Sequence, residues 1–137
     1  HKEYRRQRQM CIRDRGVAKQ LASQDFWPDT ISTDVHTSSI RPPVSIDMPS
    51  AMTRLWHLGM PLGDVIAAAT SRPAAAIGWG DRIGSLTPGH FADIAILEVS
   101  HDPVTITDSY GVAEQVSRNL VARTTIVGGE VLDRSIS

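Results

Sequence analysis

An α/β fold is the class this sequence predicts, on three observations. Apolar residues at helical spacing dominate the first half, and β-branched runs dominate the second. Between two helix signals in the first half lies one short β-branched run, Thr30-Ile31-Ser32-Thr33, followed at once by the polar loop Asp34, His36, Thr37, Ser38 and Ser39. Helix, short strand and polar loop is the order of a β/α unit, in which functional residues sit at the carboxyl ends of strands.

Taken in order, Val17, Ala18, Leu21 and Ala22 place one apolar stripe on a short helix. Pro28 stops any continuation, because it lacks an N–H and pushes Trp27 away from helical backbone angles. After the loop through Arg41-Pro42-Pro43, Asp47 or Met48 precedes a proline suited to a first helical turn, with Met52, Leu55, Trp56 and Leu58 as the apolar face. Gly59 ends that helix. Pro61 opens the next, through Val65, Ile66 and Ala67–Ala69, with an interruption expected at Pro73 and resumption over Ala74–Ile77 before Gly78.

Beyond Gly80 the signals are those of strands. Thr87-Pro88-Gly89-His90 has proline and glycine where a type II turn requires them. Phe91–Val99 is apolar on both faces and predicts a buried strand. Residues 100–122 show turn residues at Asp102-Pro103 and Asp108-Ser109-Tyr110-Gly111 without clear periodicity, and read as loop with strand left open. Thr124–Val127, Gly128-Gly129 and Glu130–Leu132 form a hairpin signal, the glycines serving a two-residue turn.

Composition narrows the function classes. The chain has 137 residues, 14 Lys+Arg against 15 Asp+Glu, and 41 % hydrophobic residues. A membrane helix needs about 18 or more apolar residues in a row, and Val65–Ala69 is a run of five. A membrane partner is therefore not expected. The single cysteine, Cys11, cannot form an internal disulfide, and a cytoplasmic setting is the expectation. The near-neutral total conceals an uneven distribution: residues 1–15 carry net +4 and the other 122 carry −5. Within this basic arm the run His1–Met10 has too few apolar residues to bury a face and reads as disordered or weakly helical. An arm of this kind can neutralise phosphates and bind nucleic acid. The reading preferred here is that it is not native to the fold, since Met10–Arg15 looks like translated adaptor sequence.

On spacing alone, Asp34 is an ordinary loop-capping aspartate. Four separated runs give it a different context: Phe26–His36; Gly59-Met60-Pro61-Leu62 leading to Ala69-Thr70-Ser71-Arg72-Pro73-Ala74; Gly84–Ile94; and Thr125–Val131. In this order they resemble the carboxyl-terminal third of the amidohydrolase superfamily, nearest its amidohydrolase/deacetylase branch, which is related to dihydroorotases. The resemblance covers essentially residues 16–137. It implies a (β/α)8 barrel with a small attached β-sandwich, binding one or two divalent metals, zinc being the expected ion. The family's ligands are a His-x-His pair, a lysine that is often carbamylated, two single histidines and an aspartate from the eighth strand. Asp34 matches the last, which implies that it is both metal ligand and catalytic proton relay for a water attacking a carbonyl. His36 could face substrate from the same loop, or be simply solvated. His57 and His90 read as structural or surface residues, and His101 as a turn residue.

The departures from the family are as informative as the match. There is no His-x-His, the five histidines are scattered at 1, 36, 57, 90 and 101, and the only lysines are Lys2 and Lys19. A complete barrel needs about 250 residues. The expectation is therefore a carboxyl-terminal piece of a (β/α)8 metal-dependent hydrolase barrel plus part of its small β-sandwich. Residues 16–80 would be the barrel end and residues 81–137 the sandwich strands. Its parent would hydrolyse amide, cyclic amide or ester bonds of a small-molecule substrate, and the fragment alone would be inactive. The expected partner is the missing amino-terminal part of its own barrel; a nucleic-acid partner is the alternative, in which the chain is a small interaction module using its basic arm. Helices around Trp56 and Ala67–Ala69 and the strand 91–99 should then leave apolar patches exposed.

Overall fold

The computed structural model describes residues 15–33, 47–107 and 112–132. The basic arm through Asp14, the loop 34–46 with Asp34 and His36, and the expected turn at Asp108–Gly111 lie outside the described residues.

Among the described residues four helices come first: α1 (Arg15–Ala22), α2 (Met48–His57), α3 (Leu62–Ala69) and α4 (Ser71–Ala76). Helix α1 closes with Phe26 N–H on Leu21 O and Asp25 N–H on Ala22 O, both at 3.0 Å. Asp25 takes the left-handed conformation this closure requires, with φ 52°. Asp47 is the N-cap of α2, its carboxylate accepting the Ser50 N–H at 2.8 Å, with Pro49 in the first turn. At the other end Gly59 (φ 110°) lets Met60 N–H reach Leu55 O and Gly59 N–H reach Trp56 O. Met60 and Leu55 then meet in the core, the apolar contact that accompanies this kind of helix ending.

The interruption of the third helix falls at Thr70, whose φ and ψ are −130° and −85°, rather than at Pro73. Proline disrupts what precedes it: it has no N–H for the carbonyl four residues back and clashes with it, yet it is tolerated in a first turn. Pro73 accordingly sits inside the first turn of α4.

Five strands follow: β1 (Ile94–Ser100), β2 (Val104–Thr107), β3 (Ala113–Val116), β4 (Asn119–Val127) and β5 (Glu130–Leu132). Strands β1, β4 and β5 form one antiparallel sheet in the order β1-β4-β5, and β2 pairs with β3 in a second. The stretch 100–122 thus contains a hairpin and the start of a long strand. The Gly128-Gly129 turn (φ 60° and 87°) and the turn at Thr87–His90, closed by His90 N–H on Thr87 O, form as expected. The strand expected over 30–33 does not form: among the described residues it belongs to neither sheet. A strand exists only with a lateral partner, and the Ile31 N–H is instead donated to Ala68 O at 2.8 Å.

One core unites the layers. Ile31, Met52, Leu55, Met60, Val65, Ala68 and Leu120 form it, with Trp27, Trp56 and Leu97 packed at its margin. The strand register explains why only some sheet residues take part. Leu97 and Leu120 lie on the face towards the helices, whereas Ile94, Ile96, Ile126 and Val131 share the opposite face. Strand β1 is therefore not buried on both sides: Ile96 is 51 % exposed and Val131 63 %.

Candidate functional site

The two sequence-predicted site residues, Asp34 and His36, fall outside the described residues, but the segment that runs into them is well anchored. Trp27 packs against the core and donates its indole N–H to Asp25 Oδ1 at 2.8 Å. Ile31 is buried, and its N–H is bound to the end of α3. The described chain stops at Thr33, one peptide bond before Asp34.

Among the described residues three ion pairs, a cation–π contact and an arginine–carbonyl bond engage several of the other ionisable groups. Arg72 bonds Asp64, joining α4 to α3. His57, on α2, lies 3.5 Å from Glu114 on β3, while Arg54 donates to Thr107 O at 2.6 Å and the Arg118 guanidinium stacks 4.2 Å above the Trp56 ring. Together these tie the β2-β3 hairpin to α2. His90 lies 3.0 Å from the Ser85 hydroxyl within its own turn, and His101 is exposed. Arg123 is the extra residue where the β1-β4 register shifts, and its side chain bonds Glu98 on the partner strand. That hydrogen bond, more than charge attraction alone, holds the Glu98 carboxyl below its ordinary range and raises the Arg123 guanidinium. Among the described residues no group of three or more His, Cys, Asp or Glu side chains converges on a point where a metal could bind. The described residues therefore do not by themselves fit a metal centre.

The sequence runs that carried the family resemblance have structural work in this geometry. A Cβ on Gly84 (φ 84°) would lie 2.8 Å from Thr70 O and 2.8 Å from Ala74 Cβ, so that glycine is pressed into the break between α3 and α4. The Gly84–Ile94 run thus closes on the Thr70–Ala74 run. Asp93 then accepts the Gly128 N–H at 2.8 Å while Ala92 O accepts the Gly129 N–H at 3.0 Å, fastening the hairpin turn to the start of β1. Sequence reasoning missed Thr53 and Asn119, the buried polar residues among those described. Thr53 Oγ1 accepts the Leu120 N–H at 2.9 Å, and Asn119 Nδ2 donates to Asp102 O at 2.9 Å. The available signal was a hydroxyl at the edge of the Met52/Leu55 apolar stripe.

This arrangement of helices against an antiparallel sheet is found in solved structures. The crystal structure of an adenine deaminase superposes with TM-score 0.79 at 25 % identity, covering 86 % of this chain and 32 % of that one. The crystal structure of a dihydroorotase gives 0.75 at 30 %, covering 85 % and 31 %. In sequence, a deacetylase from Brucella anthropi is 31 % identical over 119 residues, which is 87 % of this chain and 29 % of that protein. An imidazolonepropionase from Geobacillus kaustophilus is 36 % identical over 105 residues, 77 % of this chain and 22 % of its own length. The profile of the amidohydrolase family matches residues 10–132, and the chain belongs to that family. It spans less than a third of the length of these relatives.

Proposed function

We propose that this chain is the carboxyl-terminal part of a hydrolase that cleaves C–N bonds other than peptide bonds, in amides or cyclic amides, or ester bonds, in the manner of the deacetylases it is similar to. Residues 16–80 would complete the barrel and residues 81–137 its sandwich. The observation that carries this reading is the family profile spanning residues 10–132, which includes the Pro28–Asp34 run with its terminal carboxylate. Asp34 would contribute one ligand to a divalent metal, and its carboxylate would take a proton from the attacking water and deliver it to the leaving nitrogen or oxygen. His36, two residues on in the sequence, would be a substrate contact on the same reading. A divalent metal, zinc on this reading, supplies Lewis acidity in such sites. Its other ligands would come from the rest of the parent. The chain alone is then inactive, and its partner is the remainder of its own barrel.

Asp34→Asn in the parent enzyme tests the assignment. Removing a positioned proton-transfer group lowers kcat by about 10²–10⁴-fold, with circular dichroism unchanged. Turnover that survives the substitution undiminished would overturn the role given to Asp34.

A further inference from the structure

The break between α3 and α4 does more than end a helix. In a continuous helix each carbonyl receives the N–H four residues on: Ala68 O would take the Arg72 N–H, and Ala69 O would take the N–H of residue 73, which proline lacks. Three local features hold the break open. Thr70 Oγ1 donates back to Ile66 O at 2.7 Å, a bond that bends helices. Pro73 removes a donor. Gly84 is wedged against Thr70 O, Ser71 Cα and Ala74 Cβ, where no side chain fits. The released Ala68 carbonyl accepts the Ile31 N–H at 2.8 Å, and Ala68 and Ile31 are both in the core. Ile31 stands three residues before Asp34.

We infer that the helix break at Thr70–Pro73 is a positioning device: it frees the Ala68 carbonyl to hold the Ile31 N–H and so fixes the segment that leads into Asp34. Thr70, Pro73 and Gly84 are then positioning residues that act through Ile31. The functional part of this inference rests on the role proposed for Asp34, whereas the clamp itself does not.

Pro73→Ala restores the missing donor and lets α3 run on, so that Arg72 N–H competes with Ile31 N–H for Ala68 O. Amide hydrogen exchange on the 137-residue chain should show Ile31 exchanging about tenfold faster in this variant, with Val65 and Leu120 unchanged as markers of an intact fold. In the parent enzyme, assayed on the compound it turns over best from a panel of N-acetyl and cyclic-amide substrates, Pro73→Ala should lower kcat and leave KM unchanged. Ile31 protection that survives Pro73→Ala overturns the clamp, as does a parallel rise in KM without a fall in kcat. If Pro73→Ala unfolds the chain, replacing the Ile31 peptide nitrogen by an ester oxygen removes the donor with every side chain retained. Unchanged kcat in that ester variant overturns the inference, and a lowered kcat at constant KM supports it. Turnover retained by Asp34→Asn defeats the role of Asp34 and leaves the Ile31 exchange result standing by itself.

Discussion

The helical layer and the β1-β4-β5 sheet reach opposite states of completion. Six of the seven residues in the core cluster, Ile31, Met52, Leu55, Met60, Val65 and Ala68, come from the helical half, and the sheet supplies Leu120. The sheet's outward face shows Ile96, Val131 and, at its edge, Leu132 at 51–63 % exposure. Apolar faces were expected to stand exposed on the helices around Trp56 and Ala67–Ala69 as well as on the strand. Ala68 is fully buried and Trp56 packs against the core, so on the helices the exposed large apolar residue is Ile66, and most of the exposure lies on the sheet and on the 77–91 connection, with Ile77, Trp79, Leu86 and Phe91. The contrast shows that the described residues of the helical half close one core against the inner face of the sheet, at Leu120 and Leu97, while the sheet's other face is one that the described residues do not cover.

The largest expected effect is on the closed side. Leu55→Ala should cost about 2–5 kcal/mol by removing transfer energy and leaving a cavity, read by denaturant titration. Val131→Ala, on the open side, should stay within about 0.5 kcal/mol. Equal losses at the two sites would break the contrast. Next comes the joint between the halves: Thr53→Val keeps the shape of the side chain but leaves the buried Leu120 N–H without its acceptor, at a cost of about 1–3 kcal/mol. Thr53→Ser should recover most of that loss.

The open face can be probed directly. The double substitution Ile96→Lys and Val131→Lys should lower the binding of the dye ANS and the tendency to associate, with little change in Tm, because neither residue contributes to the core. A fall in Tm matching that of Leu55→Ala would mean that this face is closed after all. The smallest effect belongs to Glu98 and Arg123. The Glu98 carboxyl is held below its ordinary value in the fold, so the pair's stabilisation is present above the unfolded carboxylate range and is lost as the pH falls through the folded value. Glu98→Gln should lower Tm slightly at neutral pH and leave it unchanged below the folded carboxyl value, so that the acid limb of a Tm–pH curve is slightly flatter.

Local chemistry made much of this fold legible. The Asp47 cap, the Gly59 stop, the Thr87–His90 turn and the Gly128-Gly129 hairpin each follow from what one or two residues permit. The errors arise where an element depends on something non-local. Thr30–Thr33 has the composition of a strand, but a strand needs a neighbour, and Ile31 is bound by a helix carbonyl. Phe91–Val99 looked buried on both sides because composition records apolar residues and not what covers them. The β2-β3 hairpin escaped detection because its strands, Val-Thr-Ile-Thr and Ala-Glu-Gln-Val, are four residues long and too mixed to show a period. Of the site, Asp34 gained meaning through family resemblance and not through spacing. Thr53 could not be singled out, since its importance comes from a strand 67 residues away.

The central claim is that this chain carries one carboxylate of a metal site whose other ligands lie elsewhere in a parent hydrolase. Zinc titration of the purified chain, followed by hydrolysis assays of N-acyl and cyclic-amide compounds on the same sample, tests it most directly. The account predicts no stoichiometric zinc and no turnover; tight, stoichiometric zinc accompanied by hydrolysis would contradict it.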